Sequence, residues 1–272
     1  MEVSVFGGTG FIGSKFGSIS NKKIHLIDRE SRQPVCDNVL YMISTTDNYN
    51  IFENVHLDID VNLSILVDVL KNLKPNQSVF NFVSSWFVYG DAELPAKESS
   101  HCNPKGFYSI TKRCAEQLII SYCETFNINY RIFRLCNVFG PNDLGVSKKK
   151  NALQFLINQL KSNSDVNLYL DGKFYRDYMH VSDVCRAIDL CLEKAPLNEI
   201  INIGSGEKLE FKKIIDMAIE FTSSKSKIGT MEIPAFHKTV QVQDFYMNVD
   251  KLKSLGFVPQ LPLKEGIREL CQ

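Results

Sequence analysis

Tyr108 and Lys112 are four positions apart in a stretch with helical spacing, which puts both side chains on one face about one turn apart. An ammonium beside a phenol favours the phenolate and draws the tyrosine pKa down from about 10. Such a tyrosine can take the proton of an alcohol as its carbon is oxidised to a ketone, and can return it in the reverse direction. Upstream, the apolar run Val79-Phe-Asn-Phe-Val83 ends at Ser84-Ser85, and a serine hydroxyl there can hold the reacting oxygen against the tyrosine. A third group of residues suits phosphate. After the apolar Val3-Ser-Val-Phe6 come Gly7, Gly10 and Gly13, a spacing that gives a tight turn, a close backbone approach to a pyrophosphate and close helix packing. The free N–H groups of the helix that follows then face the phosphates. A second strand, Ile24-His-Leu-Ile-Asp28, ends in an acid near the roughly 20-residue offset expected of a carboxylate that binds adenosine ribose hydroxyls.

These groups need a sheet that brings strand ends together. The expected strands are Val3–Phe6, Ile24–Asp28, Val39–Ile43, Val79–Val83, Tyr130–Leu135 and Ile200–Ile203. Helical spacing falls between them, at Leu63, Leu66, Val67 and Leu70, over Phe107–Phe126 and over Val181–Glu193. Strands alternating with helices predict an α/β fold with a doubly wound, mostly parallel sheet, whose ligands bind at the carboxyl ends of the strands. The remainder gives a helix through Leu153–Leu160, a strand at Val166–Leu170 and helices at Phe211–Phe221 and Lys251–Leu255. It is too slight for a large independent core and predicts a smaller C-terminal α/β lobe leaning on the sheet, with the cleft between.

Composition narrows the function class. The chain has 272 residues, 44% hydrophobic and 23% charged, as in ordinary globular proteins. Lys plus Arg equals Asp plus Glu at 31 each, so no net field favours nucleic acid or an anionic membrane, and neither is expected as a partner. The short basic run Lys148-Lys149-Lys150 reads as a solvated face. No apolar run reaches the roughly 20 residues of a membrane span. The eight cysteines form no C-x-x-C pair and read as reduced, buried thiols; a cytoplasmic location and no metal site are expected.

Taken together, Gly7-Gly-Thr-Gly-Phe-Ile-Gly13, Ser84-Ser-Trp-Phe-Val-Tyr-Gly90 and Tyr108-Ser-Ile-Thr-Lys112 resemble the extended short-chain dehydrogenase/reductases. More narrowly they resemble the NAD-dependent epimerase/dehydratase family, which acts on nucleotide sugars. Arg134-Leu-Cys-Asn-Val-Phe-Gly-Pro141, Arg176-Asp-Tyr-Met-His-Val-Ser-Asp183 and Ile201-Asn-Ile-Gly-Ser-Gly206 resemble further motifs of that family, in order along the chain. The resemblance implies a Rossmann domain over 1–140 and 177–204 and a nucleotide-sugar lobe over 141–176 and 205–272. It implies Tyr108 as acid/base, Lys112 on the nicotinamide ribose, Ser85 on the sugar oxygen, and the backbone of Phe11 and Ile12 at the cofactor pyrophosphate. Asn137 and Arg176 would meet the diphosphate of the nucleotide sugar, a task suited to a guanidinium fork. The alternatives are an ion pair of Arg176 with Asp177 or Asp183, and Asn137 as a strand-end cap.

Three departures from the family pattern qualify these expectations. Only about ten residues join Asp28 to Val39, so one βα unit and its adenine contact are missing. Trp86-Phe87 stands where the family's dehydratases carry Asp-Glu, which disfavours 4,6-dehydration. An arginine of the late lobe has no counterpart, and Lys238 or His237 is the substitute. An epimerase with bound NAD, oxidising a sugar carbon such as C4 to a ketone and returning hydride to the other face, is therefore expected. The alternatives are an NAD(P)H-dependent reductase of a 4-keto-6-deoxy nucleotide sugar and a catalytically silent nucleotide sensor. Asp28 favours NAD, and Arg29 leaves NADP open. The family's pairing of two helices with their symmetry mates, here Leu63–Leu70 and Phe107–Phe126, implies a homodimer.

Overall fold

Residues 1–46, 48–143 and 151–272 are described by a computed structural model. The basic run at 148–150 lies outside the described residues. Strand β1 (Glu2–Phe6) leads through the glycine turn into helix α1 (Phe11–Ile19) and then β2 (Lys23–Leu26). After β3 (Asn38–Tyr41) come a 3-10 turn (Asn48–Phe52), α2 (Leu57–Ile59), a π-helical turn (Asp60–Ser64) and α3 (Ile65–Leu70). The alternation continues with β4 (Val79–Ser85), α4 (Phe107–Thr125) and β5 (Asn129–Leu135). Beyond β5 lie β6 (Asn137–Phe139), α5 (Ala152–Lys161), β7 (Val166–Tyr169), β8 (Tyr175–Arg176) and β9 (Tyr178–His180). Helix α6 (Val181–Lys194) and β10 (Glu199–Ile203) return to the sheet. The chain ends with β11 (Leu209–Glu210), α7 (Phe211–Thr222), β12 (Ile228–Met231), α8 (Ala235–Val240), α9 (Asp250–Ser254) and α10 (Leu263–Cys271).

Six parallel strands form the central sheet in the order β10-β5-β4-β3-β1-β2. Period-two alternation sends Val3, Val5, Leu40, Val83 and Phe133 to one face, where they pack with α1 and α6. Phe6, Val39, Tyr41, Phe80, Phe82 and Ile132 go to the other, under α3 and α4. Each such side chain, fully buried, contributes about 1.5–3 kcal/mol. The third apolar cluster, around Phe139, Ile157, Leu168, Phe211, Ile214 and Ile267, is the core of the lobe. Val242, Phe245, Met247, Val249 and Leu252 do not join it. They pack into the α1 and α6 side of the sheet, so the late chain returns to the larger core.

The missing βα unit has a structural replacement. Residues 27–37 contain neither helix nor strand, yet they carry the chain from the edge strand β2 past β1 to β3. A polar residue in β1, next to the edge strand, holds this crossing down. Buried Ser4 Oγ accepts the N–H groups of Val35 and Cys36, both at 2.9 Å. The free edge of β2 is short and charged, with Lys23 and His25 both on Glu2, which discourages pairing with another sheet. Helix α10 is not among the sequence expectations, because Gly266 interrupts its pattern. The glycine is required there, since a Cβ would lie 2.9 Å from the Phe139 ring.

Candidate active site

Helix α4 changes character along its buried stripe. Ala115, Ile119 and Cys123 lie against the sheet, whereas Tyr108, Thr111, Lys112 and Glu116 are buried where the helix passes the strand ends. Lys112 Nζ donates to the Val83 carbonyl at 2.7 Å and sits 4.1 Å from the centre of the Phe82 ring. Burial pushes its ammonium down to about 7, with Glu116 opposing the shift. Tyr108 lies near the cavity wall with the edge of Phe87 against its ring, at 6.0 Å between centroids. Phe87 in turn stacks on Trp86 at 4.0 Å, so the positions of the family's Asp-Glu pair form an aromatic wall.

Both serines line the cavity, but strand alternation gives their hydroxyls different partners. Ser84 is buried and its Oγ donates to Glu116 at 2.6 Å, while the half-buried Ser85 accepts from Phe87 N–H at 3.3 Å. Glu116 also receives Arg134 through Nε and Nη2 at 3.0 and 2.7 Å, and Arg113 at 2.8 Å. Burial raises the Glu116 carboxyl, but Arg134, Ser84 and Arg113 together outweigh it and the group stays below its usual range. Sequence reading missed Glu116, although its place one turn beyond Lys112 on the same face was a signal. It also missed Asn62 in the π-helical turn. Asn62 Oδ1 accepts from Ser44 Oγ and Thr45 N, and Nδ2 donates to Thr45 and Thr111, which ties the loop 44–46 to the helix that carries Tyr108.

The glycine turn fits a dinucleotide pyrophosphate. Gly7 has φ of 81° and its carbonyl accepts the Gly10 N–H. At Gly13 a Cβ would come within 2.4 Å of the Gly7 carbonyl oxygen, so no other residue fits. Gly10 caps α1 without a side-chain bond, leaving the first N–H groups of the helix for a ligand. On the lobe side, Arg176 donates to the carbonyls of Tyr175 and Val242 at 2.8 Å and to that of Gln243. Burial lowers its pKa. Neither alternative ion pair forms: Asp177 is taken by Ser205, Gly206 and Met247, and Asp183 by Arg186, Gln260 and Leu261. Asn137 Nδ2 donates to the Asp177 carbonyl at 3.0 Å, a strand-end tie, while the residue still lines the cavity.

One cavity of about 620 Å³ brings these groups together. Its lining includes Gly7, Gly10, Phe11, Ile12, Gly13, Ser85, Tyr108, Lys112, Asn137 and Arg176. Two expected groups lie elsewhere. Asp28 and Arg29 are exposed beyond β2 and do not line it, because the chain turns away there into the crossing loop. Lys238 lines a separate recess with Leu170 and Glu232, whereas its neighbour on α8, His237, lines the cavity.

The family model described as "NAD dependent epimerase/dehydratase family" matches residues 36–204. The chain belongs to that family. The match contains Ser85, Tyr108, Lys112, Asn137 and Arg176, and it begins where the crossing loop ends. A provisionally named UDP-glucose 4-epimerase of Methanocaldococcus jannaschii is 28% identical over 237 residues, covering 85% of this chain and 75% of that protein. A dTDP-4-dehydro-6-deoxyglucose reductase of Escherichia coli is 24% identical and covers 86% of this chain and 73% of its own length. The crystal structure of the Thermotoga maritima UDP-glucose 4-epimerase with UDP-glucose superposes with a TM-score of 0.85. It covers 100% of this chain and 97% of its own, at 21% identity, a likeness of fold. As a member of this NAD-dependent epimerase/dehydratase family, the chain has a glycine turn and cavity wall suited to NAD.

Proposed function

We propose that this chain is an epimerase of a nucleoside-diphosphate sugar that works with bound NAD and inverts a sugar carbon, C4 by analogy with its relatives. The observation that carries the reading is the convergence of the glycine turn, Ser85, Tyr108 and Lys112 with Arg176 and Asn137 on one cavity. Gly7, Phe11, Ile12 and Gly13 would hold the pyrophosphate of NAD, and Lys112 its nicotinamide ribose. Asp28 is assigned to the adenosine ribose, with Arg29 available to a 2′-phosphate. Bound NAD supplies the reversible oxidation at the sugar carbon. Tyr108 takes the proton of the sugar hydroxyl as its carbon becomes a ketone and gives it back when the alcohol re-forms. Ser85 holds that oxygen, and Lys112 favours the phenolate. Arg176 and Asn137 anchor the diphosphate, so the sugar is not itself fixed and its ketone can present either face.

A reductase of a 4-keto-6-deoxy nucleotide sugar is the second reading. It is favoured by the exposed Asp28 and Arg29, which leave the adenosine end open as an exchanging cofactor requires. The aromatic wall of Trp86 and Phe87 offers no acid for dehydration. Mass spectrometry of native protein, followed by assays with UDP-, dTDP-, GDP- and CDP-sugars, tests the choice. Co-purified NAD and turnover without added cofactor support the epimerase; stoichiometric NAD(P)H oxidation overturns it in favour of the reductase.

The division into a Rossmann domain (1–140 and 177–204) and a nucleotide-sugar lobe (141–176 and 205–272) is proposed with one amendment. Residues 242–257 go with the first part by their packing. A homodimer through α3 and α4 is also proposed, supported by the exposed apolar Val67, Ile110 and Leu118. A cytoplasmic location is supported by eight free cysteines. Among the described residues no helix is long and apolar enough to cross a membrane.

A further inference from the structure

Among the described residues, three side chains in the cavity wall can carry positive charge: Lys112, Arg176 and His237. Lys112 is committed to the catalytic end through its bond to Val83. Arg176 is held by three carbonyls, which orient its guanidinium but bring no negative charge, so it remains one cation for a ligand group carrying two negative charges. His237 belongs to the same stretch of chain. Helix α8 carries it, the Gln241 N–H donates to its carbonyl, and Val242 and Gln243 immediately beyond supply the acceptors of Arg176.

The imidazole links two segments of the cavity lining. Its Nε2 is hydrogen-bonded to Tyr49 Oη, from the 3-10 turn after β3. Tyr169 of β7 stands edge-on to it at 5.4 Å, and Phe236 of its own helix lies 6.4 Å away. The titratable groups facing it are these two tyrosines. No carboxylate or cation acts on it among the described residues, and burial holds it below its usual range. A neutral imidazole has one N–H and an imidazolium two. The neutral ring can accept from Tyr49 at Nε2 and donate from Nδ1, which has no protein partner among the described residues, but only the imidazolium brings a positive charge to a bound anion.

We propose that His237 is the second cation of the diphosphate site, and that a nucleoside-diphosphate sugar binds with uptake of one proton from solvent onto this ring. The proposal rests on the substrate class named above. Its linkage has a definite sign. Above the pKa of the free ring the imidazole is neutral, and the ligand's negative charge raises that pKa on binding. Affinity therefore rises as pH falls through the bound-state pKa and levels off below the free-state one.

The test is titration calorimetry of the full chain, loaded with NAD, in buffers of different ionisation enthalpy. The probes are UDP-glucose and dTDP-glucose, whose phosphates do not titrate near neutrality, so any proton taken up belongs to the protein. The parent should take up close to one proton per ligand, with affinity falling up to about tenfold per pH unit on the alkaline side. His237→Gln should bind more weakly and take up about one proton fewer than the parent, with a flatter profile. His237→Arg should lose the same proton and bind with affinity near the parent's acidic limit. The difference between parent and variants separates His237 from Lys112, whose ammonium also titrates at about 7. Uptake by the parent no greater than by both variants overturns the proposal and leaves the substrate class standing. Failure of the parent to bind either sugar nucleotide counts against both readings.

Discussion

Burial takes the ammonium of Lys112 down to about 7, against 10.5 in an unfolded chain. Below about pH 7 the lysine is charged in both states, and the folded chain bears the full cost of dehydrating it. Between that pH and 10.5 the folded chain has lost its proton while the unfolded one keeps it, so unfolding takes up a proton and stability rises with pH. In the ligand-free protein, Lys112→Met should therefore be more stable than the parent at about pH 7, on the order of a few kcal/mol, and the gap should shrink toward pH 10. Urea unfolding of both proteins across this range checks it; a constant gap would remove the buried titration. Tyr108→Phe deletes only the proton carrier. It should keep NAD binding and lower kcat by about 10²–10⁴-fold, and an activity above about a tenth of the parent's would reassign the acid/base role.

Elements are coupled to the site by buried polar groups. Glu116 fastens α4 to β5 through Arg134 and to β4 through Ser84. Glu116→Gln leaves Arg134 charged inside the core and should cost about 3–5 kcal/mol. Denaturant midpoints measure this, and a loss below about 1 kcal/mol would show that the guanidinium finds solvent or another partner. At the other end of the sheet, Ser4 replaces a helix with two hydrogen bonds. Ser4→Ala strands the N–H groups of Val35 and Cys36 and should cost about 2 kcal/mol or more. Faster amide exchange at 27–37 should accompany the loss; unchanged exchange would mean the crossing loop is held by other contacts.

At the scale of the whole molecule, α3 and α4 leave Val67 46% and Leu118 38% exposed while Ile119 and Cys123 face the sheet. A helix pair with apolar residues on both sides suits an isologous contact with a second copy. Light scattering should give a dimer mass for the parent and a monomer mass for Val67→Glu with Leu118→Glu. A parent that is monomeric at micromolar concentration would refute the contact.

The chemistry was readable in sequence because it depends on local spacing. A glycine turn between a strand and a helix, and Tyr108 one turn from Lys112, have the same geometry in any tertiary context. The absence of a βα unit after Asp28 was equally readable, since about ten residues are too few for another strand and helix. Folding decided what spacing leaves open. Only the pleat of β4 shows that Ser84 spends its hydroxyl on Glu116 while that of Ser85 is left toward the cavity. Only the rotation of α8 turns His237 inward and Lys238 away. The acceptors of Arg176 come from residues 242 and 243, far along the chain, so its partners could not be read from its own Arg-Asp motif. Spacing along one element fixes which side chains share a face; contacts between distant segments depend on how the elements pack, and that is set by the core as a whole.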